Sequence, residues 1–362
     1  EYISNTQKLL RQAVHRQLIS DVPVGAFLSG GLDSSSIVNF AKEKINKIPC
    51  FTIKTEGFEK EGFKNDLAYA TQVADHLEVP LNIIEVSSSE IYSGLIKMVS
   101  MLDEPLADTA PLHVLFISQL AKKNGIKVLL SGAGGDDLFT GYRRHYAINN
   151  ERLLRATPNF LLNALKYALG KISINNPSVR KLSKLLNGLG LNIDQRIINY
   201  FHWADEGMVN NLFSKDYRNE ISKINVDKPL EDYIKKLPSD TPSLERMLAL
   251  EKRFFLSDHN LLYTDKMSMA VGVEVRVPFL DNELVKYAST IPTKYKQRRA
   301  VGKWVLKKAM EPYLPKDVIY RSKSGFGSPL RQWIKNELSE IINDLLSEQS
   351  IKNRGIFDQL RS

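Results

Sequence analysis

The sequence predicts an α/β protein, in which a parallel β-sheet carries helices on both faces and a helical region follows. Short apolar runs alternate with helically spaced apolar residues through the first 130 residues, which is the pattern of strand–helix–strand units. Two glycine-rich loops each lie between a predicted strand and a predicted helix. After about residue 150 we find helical spacing but no convincing strand. We therefore assign an α/β core to residues 1–150 and a mainly helical region to residues 151–362.

The predicted elements follow one another in a regular order. Residues 4–20 have the apolar spacing of an amphipathic helix. Buried strands are then predicted at 24–28, 48–53, 81–86 and 127–130, with helices at 66–77, 89–102 and 112–124. Beyond the core, helical spacing returns over 151–255 and 300–346, interrupted by a loop at 321–329. Ligands of parallel sheets bind at the carboxyl ends of the strands, so both glycine-rich loops are expected at that edge.

The composition is that of a soluble globular protein. Of the 362 residues, 43% are hydrophobic and 25% are charged. No apolar run reaches the roughly 20 residues of a membrane span, so no membrane partner is expected. Cys50 is the single cysteine, which excludes an internal disulfide and favours a reducing, cytoplasmic location. The chain starts at Glu1 with neither an initiator Met nor a signal-peptide pattern, which suggests a fragment or a processed product.

The net charge of +9 raises the question of nucleic-acid binding. The basic residues are spread along the chain, apart from small clusters at 143–144 and 298–299. Neither cluster has the interleaved aromatic residues of a single-strand platform. We therefore expect small-molecule substrates with acidic or phosphate groups, to which a positive potential is also suited.

The loop S-G-G-L-D-S-S at 29–35 is the most informative segment. Gly30 and Gly31 allow a sharp turn and a close approach of the backbone to a ligand. The following helix offers free N–H groups to an anion, and Ser34 and Ser35 add hydroxyl donors. Asp33 can hold Mg²⁺ against phosphate oxygens. The loop lacks the lysine of a Walker A motif, and we interpret it as a pyrophosphate-binding loop; a glycine turn that caps an ordinary helix is the alternative.

A second loop, S-G-A-G-G-D-D-L-F-T-G-Y at 131–142, also connects a strand to a helix. Its backbone can pass close to a nucleotide, and Asp136 can reach the metal ion that Asp33 holds. Taken alone, this loop is equally compatible with a capped turn. Taken with the first loop, it predicts one Mg²⁺–phosphate site.

Five motifs, in this order, resemble the synthetase domain of glutamine-dependent asparagine synthetases and their relatives, including β-lactam synthetases. The first one also resembles the PP-loop of ATP pyrophosphatases. The resemblance covers nearly the whole chain. The motifs are L-S-G-G-L-D-S-S at 28–35, D-E-P-L-A-D at 103–108, S-G-A-G-G-D-D-L-F-T-G-Y at 131–142, D-K-M-S-M-A-V-G-V-E-V-R-V-P-F-L-D at 265–281 and R-S-K-S-G-F-G-S-P at 321–329.

The resemblance implies an adenine nucleotide alpha hydrolase-like core that uses ATP and Mg²⁺. The implied reaction adenylates the side-chain carboxylate of aspartate, releases pyrophosphate, and lets ammonia displace AMP to give asparagine. Lys323 matches a lysine that faces the reacting phosphate, and Asp33 and Asp136 match the metal-binding aspartates. The expected ATP- and pyrophosphate-binding residues are Leu28, Ser29, Gly30, Gly31, Asp33, Ser34, Ser35, Ile53, Ser131, Gly132 and, as a second cation, Lys303.

Three further charged residues are candidates for the acceptor site. Glu274 and Arg276 lie two apart in an extended run, so their side chains face the same way. We expect Arg276 to clamp a substrate carboxylate and Glu274 to bind an amine or act as a catalytic base; a buried structural ion pair is the alternative. Asp108 is expected to contact the amino group of the acceptor, or else to cap the following helix.

Two departures from the family pattern bear on the substrates. Ala133 stands where asparagine synthetases usually carry an acidic residue that assists the attack of ammonia or positions the substrate. Either another carboxylate, such as Asp137 or Glu274, takes that task, or the acceptor is not free aspartate. The glutaminase domain that precedes this region in the family is absent from the chain. We expect the chain alone to use ammonia, with a glutaminase domain supplied in cis in a full-length protein or in trans.

Other functions remain open at this point. Ala133 motivates a family relative that amidates another carboxylate, such as a sugar acid in surface-polysaccharide synthesis. A catalytically retired nucleotide-binding domain is another possibility, which Asp33, Asp136 and Lys323 argue against. A tRNA-modifying PP-loop enzyme is disfavoured, because the thiolating members need more cysteines than Cys50.

Overall fold

The structure is a computed structural model, and it describes residues 1–55, 66–149, 167, 191–204, 206–321, 330–336 and 338–358. The chain divides into two compact units. Unit 1 comprises Glu1–Gly141 and Glu251–Ile342, and unit 2 comprises Tyr142–Leu250 and Asn343–Ser362. This division differs from the predicted single boundary at residue 150. The chain returns to unit 1 after about a hundred residues, and long-range packing of this kind leaves no local pattern in the sequence.

Unit 1 is built on a parallel sheet with the strand order β3-β2-β1-β4-β5. The strands are β1 Val24–Phe27, β2 Cys50–Thr55, β3 Leu81–Val86, β4 Val128–Leu130 and β5 Glu274–Arg276. The first four agree with the predicted strands to within two residues at each end. β5 pairs in parallel with β4, so the expectation that no strand follows residue 150 was wrong. β5 has charged Glu274 and Arg276 on either side of a single valine, so it lacks the apolar run that marked β4.

Helices cover both faces of this sheet, as predicted. They include α1 Tyr2–Gln17, α2 Leu32–Lys42, α3 Asp66–Leu77, α4 Ser88–Met101, α5 Ala110–Lys123 and α6 Gly135–Phe139. Ala26 and Leu130 are buried in one apolar cluster with residues of α1 and α2. Phe51 and Leu129 are buried in a second cluster with residues of α4 and α5. Because successive strand residues point to opposite faces, the two clusters are the two sides of the sheet.

The returning segment of unit 1 begins with a π-helix, Glu251–Leu261. It continues with helices Leu262–Met269, Asn282–Thr290, Thr293–Lys296, Trp304–Met310, Lys316–Tyr320 and Leu330–Lys335, and with a 3₁₀ turn Pro278–Leu280. A last helix, Ser339–Leu345, crosses the boundary between the units. Val305, Leu306 and Met310 join the apolar cluster of α1 and α2. Helix Trp304–Met310 is thereby fixed against the face of the sheet that carries these helices.

Unit 2 is helical in the residues that the structure describes. Its helices are Arg143–Asn149, Ile193–Asn199, Glu206–Leu212, Lys215–Ile221, Lys228–Ile234, Ser243–Leu250 and Glu348–Arg354. Arg246 pairs with Asp194 at 2.8 Å and so joins two of these helices. Most of the predicted helical stretch before Leu191 lies outside the described residues. Throughout the described ranges, no helix is long and apolar enough to cross a membrane.

Candidate active site

The two glycine-rich loops lie side by side at the centre of the sheet. From β1 the chain proceeds outward to β2 and β3, whereas β4 lies on the other side of β1. The carboxyl ends of β1 and β4 are therefore the switch point at which parallel sheets bind ligands. A Cβ atom on Gly132 would stand 2.8 Å from the backbone nitrogen of Ser34. The two predicted loops thus form a single site, and the absence of a side chain at Gly132 permits their close approach.

The first loop has the geometry of an anion-binding turn. Gly30 has φ +64°, and a Cβ there would lie 2.4 Å from the backbone of Tyr69, so only glycine fits. Gly31 precedes the first turn of α2 in an extended conformation, which leaves the first N–H groups of that helix open to a ligand. The hydroxyls of Ser29 and Ser34 lie 3.2 Å apart beside them. Donors from the backbone and from side chains therefore converge on one position.

Lys303 joins the two predicted metal-binding aspartates. Its Nζ contacts the carboxylate of Asp33 and lies 2.5 Å from Asp136 Oδ1. The three side chains are only 11%, 17% and 18% exposed. Burial alone lowers the pKa of Lys303, but the charges of Asp136 and Asp33 outweigh it and raise that pKa. Lys303 therefore stays positively charged at neutral pH, and its charge is held beside the anion-binding turn.

The paired aspartates fit a magnesium ion. Two carboxylates that share one ammonium group are close enough to share one metal ion as well. Mg²⁺ is commonly held by one or two protein carboxylates together with substrate phosphates and water. Within the described part of the chain there is no group of three or more His, Cys, Asp or Glu side chains with metal-binding geometry. Asp33 and Asp136 therefore suit an ion that a phosphate ligand helps to hold.

Several other predicted nucleotide-binding residues surround the turn. Leu28 is 1% exposed, and Ile53 is partly buried beside the second apolar cluster. Ser35 is fully buried, and its hydroxyl has no hydrogen-bond partner in the described ranges. Ser131 Oγ accepts a hydrogen bond from the Ala133 N–H at 3.2 Å. Their contacts with a nucleotide stay predictions, and Lys323 lies outside the described residues.

Asp108 makes the capping contact that was its alternative role. Its Oδ1 accepts a hydrogen bond from Ala110 N–H at 3.0 Å, at the first residue of α5. Its Oδ2 lies 3.4 Å from Nε2 of His259, whose ring stacks on Phe255 with centroids 5.0 Å apart. Sequence analysis did not identify His259, because a single histidine in a helical pattern carries no signal of its own. Its π-helix is the one local hint, since π-helical turns are frequent at functional sites.

Glu274 and Arg276 form an ion pair on β5. Their side chains do face the same way, with Arg276 Nε 2.7 Å from Glu274 Oε1. Arg276 Nη1 also donates to the backbone oxygens of Gln17 at 2.8 Å and Ile19 at 2.7 Å, so protein oxygens already occupy the guanidinium. Glu274 is 55% exposed at the amino end of β5. The observed contacts are those of the ion-pair alternative, partly exposed rather than buried. The expected substrate clamp and catalytic base stay predictions.

The fold and the site define a class of protein: an α/β protein with an anion-binding turn and paired carboxylates at the switch point of its sheet. A family model described as asparagine synthase matches residues 5–361. The chain belongs to the asparagine synthase family.

Individual relatives agree with this assignment. The chain is 34% identical over 348 residues to glutamine-hydrolyzing asparagine synthetase 1 of Bacillus subtilis (strain 168), which covers 96% of this chain and 52% of the relative. It is 33% identical over 328 residues to a putative glutamine-hydrolyzing asparagine synthetase of Mycobacterium tuberculosis (strain ATCC 25618 / H37Rv), with coverages of 90% and 48%. The chain thus spans about half the length of the curated relatives it matches.

Among solved structures, an NH3-dependent NAD synthetase from Campylobacter jejuni is 14% identical, with a TM-score of 0.29 and coverage of 57% of this chain and 99% of that chain. A TM-score of that size does not establish a common fold.

Proposed function

We propose that this chain is an ATP-dependent amide ligase that converts aspartate to asparagine through an acyl-adenylate. The observation that carries the proposal is the meeting of Asp33, Asp136 and Lys303 beside the anion-binding turn. Membership of the asparagine synthase family supports the same class of reaction.

In the first step the side-chain carboxylate of aspartate attacks the α-phosphorus of ATP. A new P–O bond forms to the carboxylate, and the bond to the departing pyrophosphate breaks. Ser29, Ser34 and the first N–H groups of α2 bind phosphate oxygens, and Lys303 places a positive charge beside them. Negative charge grows on pyrophosphate as it leaves, so these fixed groups stabilise the transition state more than the ground state.

Asp33 and Asp136 would hold Mg²⁺, which when bound neutralises and orients phosphate oxygens. Lys303 keeps the two carboxylates together at the edge of the turn. Lys323 is proposed to face the reacting phosphate, on the strength of its motif. Loss of one fixed charge of this kind typically lowers the rate by ~10²-fold or more.

In the second step ammonia attacks the acyl carbon. A C–N bond forms, the C–O bond to AMP breaks, and the nitrogen releases a proton. Asp108 is proposed to contact the amino group of aspartate with the carboxylate that also faces His259. A glutaminase domain, in cis in a longer protein or in trans, is the proposed source of ammonia, since the curated relatives are named glutamine-hydrolyzing and are about twice as long.

Ala133 supports a second candidate function, the amidation of another carboxylate such as a sugar acid. Its N–H binds Ser131 Oγ in the loop beside Asp136, and a methyl group neither accepts a proton nor binds an ammonium ion. If the acceptor is aspartate, another carboxylate must therefore assist the attack of ammonia or position the substrate. The alternative is an acceptor other than free aspartate.

The test is pyrophosphate release from Mg²⁺-ATP with ammonium, with and without aspartate, and with Asp33→Ala as the control. We expect release that requires aspartate, yields asparagine and falls by ~10²-fold or more in the variant. Pyrophosphate release only with another carboxylate would show that this carboxylate, and not aspartate, is the acceptor. ATP binding without release, whichever carboxylate is added, would identify a retired nucleotide-binding domain.

A further inference from the structure

We propose that Arg321 is an additional phosphate-binding residue, whose guanidinium binds the β- and γ-phosphate oxygens that leave as pyrophosphate. The inference rests on the proposed function, because it assigns a residue to the phosphate end of the same site. Sequence analysis did not assign any role to Arg321.

Arg321 is connected to the anion-binding turn through Tyr69. It follows directly after helix Lys316–Tyr320, and its Cζ stands 4.5 Å from the ring centroid of Tyr69. Tyr69 is in the first turns of α3, which begins after β2 at the carboxyl edge of the sheet. The backbone of Tyr69 in turn packs against Gly30, where a Cβ would lie 2.4 Å from Tyr69 C. A single tyrosine therefore separates the guanidinium from the turn.

The bonding of Arg321 is incomplete. Its side chain is 7% exposed, and Nη2 lies 2.7 Å from Asp66 Oδ1. Nη1 is buried and has no hydrogen-bond partner among the described residues. Buried polar groups almost always have a partner, and leaving a charged donor without one is costly. A group of this kind beside an anion-binding turn indicates that a ligand supplies the missing acceptor.

Phosphate is the ligand that fits this geometry. The planar guanidinium presents its N–H groups as a fork that matches two oxygens of a phosphate group. Asp66 holds one arm of the fork and the ring of Tyr69 supports its face, so the orientation is fixed before the ligand arrives. The turn offers hydroxyl and backbone N–H donors to the same ligand.

Arg11 provides a matched comparison within the same unit. Its guanidinium also lies over an aromatic ring, 4.9 Å from the centroid of Phe40, and pairs with Glu43 at 3.1 Å. Phe40 is near the far end of α2, about two turns from the N-terminus that faces the phosphate site. Arg11 and Arg321 therefore share an aromatic contact and an ion pair, although the Arg11 side chain is 34% exposed and that of Arg321 is 7% exposed. Arg11 packs near the end of α2 that is remote from the proposed ligand.

The experiment is calorimetric titration of inorganic pyrophosphate and of AMP, in Mg²⁺ buffer, into the wild type and into Arg321→Met, Asp66→Asn and Arg11→Met. Loss of a charge-assisted hydrogen bond weakens binding by about tenfold to a hundredfold. We expect that loss for pyrophosphate in Arg321→Met, a smaller loss in Asp66→Asn, which frees the guanidinium to move, and none in Arg11→Met, with the affinity for AMP unchanged in all three. Should this variant fail to fold, Arg321→Lys keeps the charge without the fork, and we expect it to weaken pyrophosphate binding severalfold.

Three results would overturn the inference. Pyrophosphate binding as tight in the Arg321 variant as in the wild type would exclude the contact. Equal losses in Arg321→Met and Asp66→Asn, or an equal loss for AMP, would show that Arg321 only supports the local structure. A wild type that binds neither AMP nor pyrophosphate would instead overturn the proposed function, and this inference with it.

Discussion

Gly141 shows how little space the aspartate site leaves for an added atom. A Cβ at Gly141 would lie 1.5 Å from Asp136 Oδ1 and 2.5 Å from Lys303 Cε. We therefore expect Gly141→Ala to displace the carboxylate or the ammonium and to lower pyrophosphate release by ~10²-fold, as for the loss of one fixed charge. Steady-state release rates measured together with urea unfolding would show an effect on the rate that exceeds the effect on stability.

Gly272→Ala is the control for this substitution. Gly272 has φ +76° and open space around it, so the added methyl group strains the backbone by roughly 1–2 kcal/mol without reaching the site. It should lower the unfolding free energy and leave the release rate unchanged. Equal rates in Gly141→Ala and the wild type would show that the contact between Asp136 and Lys303 does not matter for the reaction.

The sequence predicted the roles of residues inside the two loop motifs better than the contacts that other residues make with them. Asp33 and Asp136 were predicted to meet because both follow strands that end at one edge. Lys303 was a candidate only as a second cation, and its contact with both carboxylates depends on where the returning segment packs. Arg276 was assigned to substrate because an arginine in a motif looks identical whether it binds a ligand or the end of a helix.

At the scale of elements, Arg276 fastens the end of α1 to β5. Its guanidinium is bound to the carbonyls of Gln17, the last residue of α1, and of Ile19, and to Glu274 on the same strand. Hydrogen bonds to a charged group contribute about 1.5–3 kcal/mol when buried, and less here because the side chain is partly exposed. We expect Arg276→Met to lower the unfolding free energy by about 2 kcal/mol in urea titrations, without raising the KM for the carboxylate substrate.

Glu274→Gln separates the two roles of this pair. It weakens a half-exposed ion pair, which is worth about 0–1 kcal/mol, and leaves the carbonyl contacts of Arg276 in place. A small loss of stability with normal kinetics is the expected result. A raised KM for the carboxylate in Arg276→Met, at unchanged stability, would instead restore the substrate-binding role.

Elements with a clear apolar pattern were predicted closely, and elements without one were not. α3 and β3 have their predicted bounds, because each carries enough apolar residues for its period to be read. β5 has three residues and depends on pairing with β4. The π-helix Glu251–Leu261 has apolar spacing that a sequence of this length does not distinguish from an α-helix.

At the scale of the whole molecule, the site combines residues from the two chain segments of unit 1, which residues 142–250 of unit 2 separate. Unit 1 takes Asp33 and Asp136 from before unit 2 and Lys303 from after it. The boundary at residue 150, drawn where strand patterns give way to helical ones, places Asp33 and Asp136 in one predicted region and Lys303 in the other. Strand and helix periods report local conformation, whereas the return of the chain to β4 is a property of the complete fold.

Whether this chain can take its nitrogen from glutamine depends on its cysteine content. Cys50 is its single cysteine; it is fully buried in β2, and burial raises the pKa of its thiol to about 12. Only a thiolate is an effective nucleophile, so this chain has no cysteine suited to hydrolysing glutamine. We expect ammonium, but not glutamine, to support asparagine formation from aspartate and Mg²⁺-ATP, and Cys50→Ser to change neither result. Asparagine formation with glutamine as the only nitrogen source, measured by amino-acid analysis, would contradict this expectation.

If Cys50→Ser then abolished this glutamine-dependent activity, the buried thiol would be the nucleophile. If the activity persisted in Cys50→Ser, another side chain would hydrolyse glutamine.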